Sequence, residues 1–345
     1  GPNLRYCTGL SFHLMGRPTL ALISVDRPPL LLVPELERIK AEANPIGAAV
    51  AAYGEDLPSR RAAFTAAAES LGLARRRLGV EPLRMRWLEE RLIEEAAPGV
   101  RLRGADEALE SLRAEKSADE LAAIRRAVEV AEKALAQTVP AVRAGATELE
   151  LASELTLQLL RAGSETELPF SPIVASGPNT ALPHAVPTAR RLQPGDLLIL
   201  DWGATVDGYI SDLTRTFAIG RVEAEWKRIH AAVADANAAG RAAAGPGVAC
   251  STVDAAARSV IEAVGYGPAF LHRTGHGIGL EAHEPPYLRS DNPSVLRPGM
   301  TFTVEPGIYL AGRGGVRIED NLVISDSAAT TLSTTARDLQ VLDVG

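Results

Sequence analysis

The sequence predicts an α+β protein of two domains, a small α/β domain at residues 1–112 and a larger one at 113–345. A single hydrophobic core rarely supports a chain as long as its 345 residues. A balance of 46% hydrophobic and 23% charged residues is typical of a globular protein that buries a core. In the second domain helical periodicity comes first and strand-and-turn patterns come last, as in folds where helices cover one face of an antiparallel sheet.

Residues 1–112 alternate short apolar runs with helical stretches. Strands are predicted at Leu20–Val25 and Leu30–Val33, on either side of an Asp-Arg-Pro-Pro turn. Helices are predicted at 59–76 and 85–97 from their Ala-, Arg- and Glu-rich periodicity. The pattern indicates a small domain with a sheet and without residues at a catalytic spacing.

The second domain opens with two helix-capping boxes, Ser117-Ala-Asp-Glu120 and Thr147-Glu-Leu-Glu150. Two further helices are predicted at 223–244 and 253–264. The predicted strands are Leu197–Asp201, Ile210–Phe217, Met300–Leu310, Val316–Ser325 and Leu339–Asp343.

Charge and cysteine content exclude several classes of protein. The 36 basic and 43 acidic residues give a net charge of −7, which argues against a nucleic-acid partner. No apolar run approaches the ~18 residues of a membrane span, so no membrane association is expected. Cys7 and Cys250 are too few for a disulfide framework or a thiolate zinc site, and they fit a reducing cytoplasm.

Asp201 and Asp212 are predicted to share one face of a hairpin. Asp207-Gly208 supplies a two-residue turn, which places Asp201 opposite Thr214. Because side chains alternate along a strand, Asp201 and Asp212 become diagonal neighbours. Two carboxylates there repel each other unless a cation lies between them, and a solvent-facing polar surface is the alternative interpretation.

Glu305 and Glu319 form a second acidic pair in two apolar strands. Centring the glycine-rich loop between them on Gly312 makes the two glutamates direct cross-strand partners, on the same face as Arg317. Unpaired burial of both carboxylates would cost several kcal/mol. A metal ion is the economical explanation, and rim carboxylates balanced by Arg313 and Arg317 are the alternative.

Three histidines, His272, His276 and His283, fall within one short segment. Glycines flank His276, so the backbone can come close to whatever this imidazole binds, and His272 shares its face if the segment is a strand. Four carboxylates and one imidazole suit Mn²⁺, Co²⁺ or Zn²⁺. Because two of the acids can bridge, the set predicts two divalent metal ions that activate a water.

These motifs resemble those of the pita-bread metallopeptidases, and among them the X-prolyl peptidases, prolidase and aminopeptidase P. The matching runs are Asp-Trp-Gly-Ala, Tyr-Ile-Ser-Asp-Leu-Thr-Arg-Thr, Thr-Gly-His-Gly-Ile-Gly-Leu-Glu-Ala-His-Glu, Val-Glu-Pro-Gly-Ile-Tyr and Val-Arg-Ile-Glu-Asp. The resemblance covers 113–345. In the first domain, Asn-Leu-Arg-Tyr-Cys-Thr-Gly near the start is similar to a motif of the family's creatinase-like N-terminal domain. The resemblance implies a pita-bread domain behind a creatinase-like domain that lacks its first segment.

The resemblance also implies a role for each side chain. The metal ligands would be Asp201, Asp212, His276, Glu305 and Glu319, of which Asp212 and Glu319 bridge two ions. The substrate-side residues would be His184, His272, His283 and Arg317, of which Arg317 also orients a ligand carboxylate. Glu305 would pass a proton to the leaving prolyl nitrogen, and His184 and His283 would donate to the developing oxyanion. The remaining histidines, His13 and His230, are interpreted as structural.

The implied activity is hydrolysis of the bond before proline. We expect X-Pro dipeptides or short peptides as substrates of a cytoplasmic homodimer that uses Mn²⁺ or Co²⁺, with Zn²⁺ as the third candidate. Release of the N-terminal residue from longer X-Pro peptides, as by aminopeptidase P, is the alternative. Creatinase-like amidinohydrolases and non-catalytic pita-bread peptide-binding proteins lack the five ligands, and methionine aminopeptidases normally lack a domain in front.

A dipeptidase must also bind the free carboxylate that follows proline, and a guanidinium matches a carboxylate bidentately. Arg5 and Arg313 are the candidates, with His272 assisting either, and a domain-packing role for Arg5 is the alternative. The lack of a third domain to shape an extended cleft favours prolidase over aminopeptidase P.

Overall fold

The computed structural model describes residues 1–13 and 16–343, and the chain divides into two compact units, Gly1–Arg113 and Ala114–Gly345. Across these described stretches, no helix combines the length and the apolar character that crossing a membrane requires.

The first unit has an α/β arrangement. Its helices are α1 Pro2–Thr8, α2 Arg38–Glu42, α3 Leu57–Leu71, α4 Trp87–Ala96 and α5 Asp106–Ala114. Its strands are β1 Leu20–Leu22, β2 Leu30–Pro34, β3 Ala49–Tyr53, β4 Arg77–Val80 and β5 Arg101–Gly104. Strand β2 pairs antiparallel with β1 and parallel with β3, and β4 pairs parallel with β5. Tyr53 and Phe64 lie in the core that joins this sheet to α3 and α4.

The predicted elements of this unit are present with shifted ends. Strand β1 stops at Leu22, three residues before the predicted end, and Val25 is fully exposed. Helix α3 stops at Leu71 rather than at residue 76, because Gly72 adopts a left-handed conformation with φ 63°.

Among its described residues, the second unit contains a mixed four-stranded sheet, an antiparallel five-stranded sheet, two two-stranded hairpins and four long helices. The helices are α6 Ala118–Thr138, α7 Glu148–Ala162, α8 Ala224–Ala243 and α9 Cys250–Ala263. The first strands are β6 Ile173–Ser176, β7 Leu197–Trp202, β8 Thr205–Val206, β9 Tyr209–Ile210 and β10 Leu213–Ile219. The later strands are β11 Gly275–Gly277, β12 Glu284–Leu288, β13 Thr301–Val304, β14 Gly307–Leu310, β15 Gly314–Arg317, β16 Asp320–Ile324, β17 Ala329–Thr331 and β18 Gln340–Leu342.

The helices cover the sheets as predicted, which confirms the α+β class. Strands in the order β18-β10-β7-β6 form one sheet, against which α6 and α7 pack their apolar faces. Strands in the order β12-β11-β13-β16-β17 form the other, and α8 and α9 pack on the remaining apolar side chains. Both predicted capping boxes are formed, since Ser117 accepts from Glu120 N and Thr147 accepts from Glu150 N.

The prediction of continuous strands at Ile210–Phe217, Met300–Leu310 and Val316–Ser325 is wrong. Each is broken, at Ser211-Asp212, at Glu305-Pro306 and at Ile318-Glu319 respectively. Pro306 has no N–H to donate to a neighbouring strand. The Glu305 N–H donates to Thr274 O at 2.8 Å, and the Glu319 N–H donates to Thr214 O at 3.1 Å. The hairpin therefore changes its partners at the two glutamates, where it meets the four-stranded sheet.

Candidate metal centre

The aspartate pair lies on the hairpin that the sequence predicts. Strands β8 and β9 pair around Asp207 and Gly208, whose φ angles are 51° and 75°. Positive φ at both central residues is what a type I′ turn requires. The ladder of β7 with β10 places Asp201 opposite Thr214, which confirms the predicted register.

The glutamate pair lies at the break in the second hairpin. Val304 pairs with Asp320 on one side of the break and Gly307 pairs with Arg317 on the other. The register is the same on both sides, so Glu305 lies opposite Glu319, as predicted. Thr214 Oγ1 donates to Glu319 Oε2 at 2.7 Å and links the two hairpins.

His276 joins both pairs from strand β11. Its Nε2 lies 3.2 Å from Glu305 Oε1 and 3.7 Å from Asp212 Oδ2. The neighbouring glycine permits this approach, because a Cβ at Gly275 would lie 1.9 Å from Thr303 O. One ligand atom each from Asp212, His276 and Glu319 lie within 4.8 Å of one another, as around a metal ion.

The carboxylates of this cluster are short of compensating charge. Burial and the nearby Glu319 carboxylate raise the pKa of Asp212 well above its usual range. Burial also raises the pKa of Asp201, although Arg317 Nη2 donates to Asp201 Oδ2 at 2.5 Å. Burial raises the pKa of Glu305 too, but its hydrogen bond with His276 and the charge of that imidazole outweigh burial and lower it to about 2.

Two buried oxygens of the cluster, Asp201 Oδ1 and Glu319 Oε1, have no hydrogen-bond partner among the described residues. Buried carboxylate oxygens without a donor are costly and rare in native proteins. An oxygen-rich set with one imidazole is the donor chemistry that Mn²⁺, Co²⁺ and catalytic Zn²⁺ accept. The residues of this cluster are therefore suited to binding divalent metal ions.

The cluster forms the floor of a cavity of about 810 Å³. His184, His272 and His283 line this cavity, together with apolar side chains that include Phe170 and Ile173. Its lining also includes all five predicted metal ligands and Arg317.

Two of the cavity histidines contact neighbouring rings. The rings of His283 and His276 lie 4.1 Å apart, and burial together with this neighbour lowers the pKa of His283 to about 4. His272 lies outside β11, so the same-face argument for a strand does not apply to it. Its Nε2 lies 2.9 Å from the Tyr309 hydroxyl, and burial lowers its pKa.

The Arg317 side chain donates four hydrogen bonds to described residues of this unit. Besides its bond to Asp201, it donates to Thr214 Oγ1 at 3.1 Å, to the Tyr309 hydroxyl at 2.8 Å and to Pro183 O at 3.2 Å. These bonds hold the guanidinium beside Asp201, one of the predicted metal ligands.

Neither arginine predicted to bind a substrate carboxylate lines the cavity. Arg313 donates to Glu225 at 2.7 and 3.1 Å and lies over the ring of Trp226. Arg5 lies in α1 of the first unit, and the described cavity lining belongs to the second.

Sequence reasoning missed two arginines that do line the cavity, Arg273 and Arg289. Arg273 lies over the ring of Tyr287, and Arg289 Nε lies 3.0 Å from Asp291 Oδ1 at an exposed position. The position of Arg273 between His272 and the glycine-flanked His276 was a signal in the sequence. No comparable signal marked Arg289.

Comparison with known proteins gives two matches to domain families. Residues 122–326 match metallopeptidase family M24, and residues 1–114 match the creatinase/prolidase N-terminal domain. The Xaa-Pro dipeptidase of Pyrococcus furiosus is 38% identical over 234 residues, which are 68% of this chain and 67% of that protein.

Solved structures that share the fold along nearly the whole chain include two peptidases. A dipeptidase from Pyrococcus horikoshii OT3 aligns with a TM-score of 0.93 at 34% identity, over 99% of this chain and 94% of that one. An X-Pro aminopeptidase from Thermotoga maritima MSB8 aligns with a TM-score of 0.86 at 32% identity, over 98% of this chain and 93% of that one.

Proposed function

The chain belongs to metallopeptidase family M24, and from that premise we propose that it is a prolidase, which hydrolyses the bond before proline in X-Pro dipeptides. The observation that carries the proposal is the cluster of four carboxylates and one imidazole at the cavity floor, with two buried oxygens that lack a partner among the described residues. Such a cluster has a physical explanation when divalent metal completes it.

Five side chains would hold the metal, namely Asp201, Asp212, His276, Glu305 and Glu319. Bound there, two divalent ions supply Lewis acidity toward the scissile carbonyl and lower the pKa of the attacking water. Of these five, Asp212 and Glu319 would be the carboxylates shared by both ions. Arg317 fixes Asp201 from outside the set through their 2.5 Å hydrogen bond.

Glu305 is the proposed proton carrier. Its side chain is 15% exposed, against 7% for Asp212 and 3% for His276, so it is open to the cavity. Its pKa of about 2 means that the side chain is an ionised carboxylate, the form that can accept a proton. The same carboxylate then delivers that proton to the prolyl nitrogen, which has no N–H until it leaves.

The three cavity histidines are the proposed substrate contacts. His184 and His283 donate to the oxyanion that develops on the scissile carbonyl, a role for which donors must be in place beforehand. The low pKa of His283 keeps its imidazole neutral at pH 7, with one N–H to donate. His272 contacts the prolyl side, where Tyr309 holds its ring.

The finer points of the proposal concern metal, assembly and location. We propose Mn²⁺ or Co²⁺ in a homodimer of the cytoplasm, where Cys7 and Cys250 remain free thiols. The domains proposed are 1–112 and 113–345.

The second candidate is an X-Pro aminopeptidase, which accepts a chain beyond proline. The likeness to the Thermotoga maritima enzyme favours it, since that alignment also covers nearly the whole chain. Rates on Ala-Pro and Ala-Pro-Ala, with Mn²⁺, Co²⁺ and Zn²⁺ supplied separately, distinguish the two. Faster cleavage of Ala-Pro supports prolidase, faster cleavage of the tripeptide supports the aminopeptidase, and cleavage of neither refutes both.

A further inference from the structure

Glu148, the first residue of α7, is a fully buried carboxylate outside the metal cluster. Ser176 N and Oγ both donate to Glu148 Oε1 at 2.7 Å. Thr188 N and Oγ1 donate to Glu148 Oε2 at 2.9 and 2.6 Å, and Asn179 Nδ2 lies 3.0 and 3.1 Å from the two oxygens. A buried carboxylate requires donors of this kind, because losing its hydration costs several kcal/mol.

Ser176 and Thr188 lie at the two ends of one segment, and Asn179 lies within it. Ser176 precedes residues 177–187 and Thr188 follows them. The backbone adds to this anchorage, since Glu148 N donates to Arg190 O and Leu149 N donates to Thr188 O, each at 3.1 Å. A single carboxylate therefore joins both ends of the segment to the first turn of a helix.

The middle of this segment is part of the cavity wall. Pro183, His184, Ala185 and Val186 all line the cavity. Beyond a short 3₁₀ helix at Gly177–Ala181 the segment has no regular secondary structure before residue 188. The described residues make no hydrogen bond to the His184 imidazole, so the backbone of the segment is what places this residue at the cavity.

We propose that Glu148 is a positioning residue for the peptidase reaction: by joining Ser176 to Thr188, it holds His184 where this imidazole meets the substrate carbonyl. The inference rests on the proposed function, in which His184 donates to the oxyanion. Arg317 supports the same segment from the cavity side, through its bond to Pro183 O.

A double-mutant cycle with His184 tests the inference. Glu148→Gln keeps the shape of the side chain but turns an amide N–H₂ toward donors, so the ends of the segment separate. We expect kcat/KM on Ala-Pro to fall up to about 10²-fold, mainly in kcat, as for misplaced catalytic groups. Added to His184→Ala, the same change is expected to cost less than about threefold, because both act through one ring. Additive losses would overturn the inference.

The matched control is Glu150→Gln, on the same helical turn. Glu150 Oε2 accepts from Thr147 N at 2.8 Å and does not contact the segment, so kcat/KM is expected to stay within about twofold. If Glu148→Gln does not fold, Thr188→Val removes one donor to Glu148, and a smaller loss with the same coupling to His184 is expected. Additivity of Thr188→Val with His184→Ala would equally refute the role.

A measurement without turnover separates this inference from the proposed function. In metal-free protein labelled with ¹⁵N-histidine, the His184 imidazole signal is assigned by its loss in His184→Ala. Glu148→Gln is expected to shift or broaden that signal, and Glu150→Gln to leave it unchanged. An unaltered signal overturns the inference even in an active peptidase. A shifted signal in a protein that cleaves no X-Pro peptide refutes the proposed function alone.

Discussion

Glu319 and Asp320 are consecutive buried carboxylates, and the chain surrounds them in opposite ways. Asp320 accepts from Arg215 at 2.9 Å, from Arg337 at 2.7 Å and from the Ser333 hydroxyl at 2.7 Å. Burial alone would raise the pKa of Asp320, but the charges and hydrogen bonds of these arginines outweigh burial and lower it.

Glu319 accepts a single side-chain hydrogen bond, from a neutral hydroxyl, and its Oε1 has no partner among the described residues. Burial and the charge of Glu305 raise its pKa well above the usual range. The comparison teaches that two adjacent buried carboxylates can be compensated very differently. Asp320 has fixed cations and a full set of donors, whereas Glu319 has an oxygen without a partner among the described residues, which an exchangeable cation explains better than the fold does.

The carboxylates around Glu319, whose charges are not fully compensated, form an open cluster, and Asp320 with its arginines forms a closed cluster. The largest expected effect is loss of turnover when the open cluster is changed. We expect Glu305→Gln to lower kcat on Ala-Pro by roughly 10²–10⁴-fold, because the proton carrier is lost. Asp212→Asn is expected to abolish metal binding with similar consequences. Circular dichroism should report an intact fold for both variants, and near-wild-type turnover by either would contradict the assignment.

The closed cluster should respond in stability instead. Asp320→Asn leaves the Arg215 guanidinium buried without its carboxylate, and losing one partner of a buried pair costs about 3–5 kcal/mol. Urea unfolding of the metal-free protein measures this loss. The control is Asp326→Asn, an exposed change a few residues later with an expected effect within ~0.5 kcal/mol. Equal midpoints for the two variants would show that the cluster contributes nothing.

Removal of metal should reveal the strain of the open cluster. Metal at 100 to 1,000 times its dissociation constant stabilises the folded state by about 2.7–4.1 kcal/mol, so chelation is expected to lower the melting temperature. Glu319→Gln removes one of the repelling charges and is expected to narrow the gap between chelated and metal-loaded protein. A melting temperature that ignores chelation would indicate solvated carboxylates and no metal site.

Protonation of His230, which interacts with Arg215 of the closed cluster, is expected to have a smaller effect on stability that depends on pH. Burial lowers the pKa of His230 to about 4, and Asp338 and Arg215 are the charged groups that act on it. In the unfolded chain the pKa of this histidine is near 6.5, so between pH 6.5 and 4 the unfolded state binds more protons than the folded state. The stability that depends on a neutral His230 is therefore complete above about pH 6.5 and is lost as pH falls toward 4. The loss amounts to roughly 2–3 kcal/mol.

Comparing urea unfolding of wild type and His230→Gln between pH 7 and 4 isolates this contribution from that of the carboxylates. The wild type is expected to lose more stability than the variant over this range. His13→Gln, at an exposed position, is the control. Parallel profiles for wild type and His230→Gln would refute the prediction.

The smallest expected effect concerns binding of the free carboxylate that follows proline in an X-Pro dipeptide. Arg289 lines the cavity at an exposed position, so Arg289→Ala is expected to raise KM for Ala-Pro by roughly tenfold and to change Ala-Pro-Ala little. Arg5→Ala tests the original prediction in the same assay. Arg313→Ala is the control, since its guanidinium is bound to Glu225. An unchanged KM in all three would place the carboxylate site elsewhere.

The two acidic pairs could be read from the sequence because short turns fix register. Asp207-Gly208 and the loop around Gly312 each determine which residues lie opposite one another, and alternation does the rest. The five-ligand set followed from those two registers and one glycine-flanked histidine.

Contacts between distant segments could not be read in this way. Nothing local to Arg313 indicates that Glu225, in another element, would take up its charge. The proline at position 306 was a sign of a break in the strand. The acceptor of the Glu305 N–H, Thr274 O, could not be foreseen, because it comes from a different part of the chain. The anchorage of the His184 segment by Glu148 has the same origin, because its donors converge only after folding.

The turn at Asp207-Gly208 has a consequence for how this protein can change over time. A one-residue insertion there would leave both strands able to form, yet it would turn one aspartate of the pair to the opposite face of the sheet. The chemistry of the centre is thus encoded partly as the parity of a spacing rather than as residue identity. Length variation among relatives should therefore be tolerated in surface loops that set no register, and purged at this turn and in the loop around Gly312, even where every predicted ligand is retained.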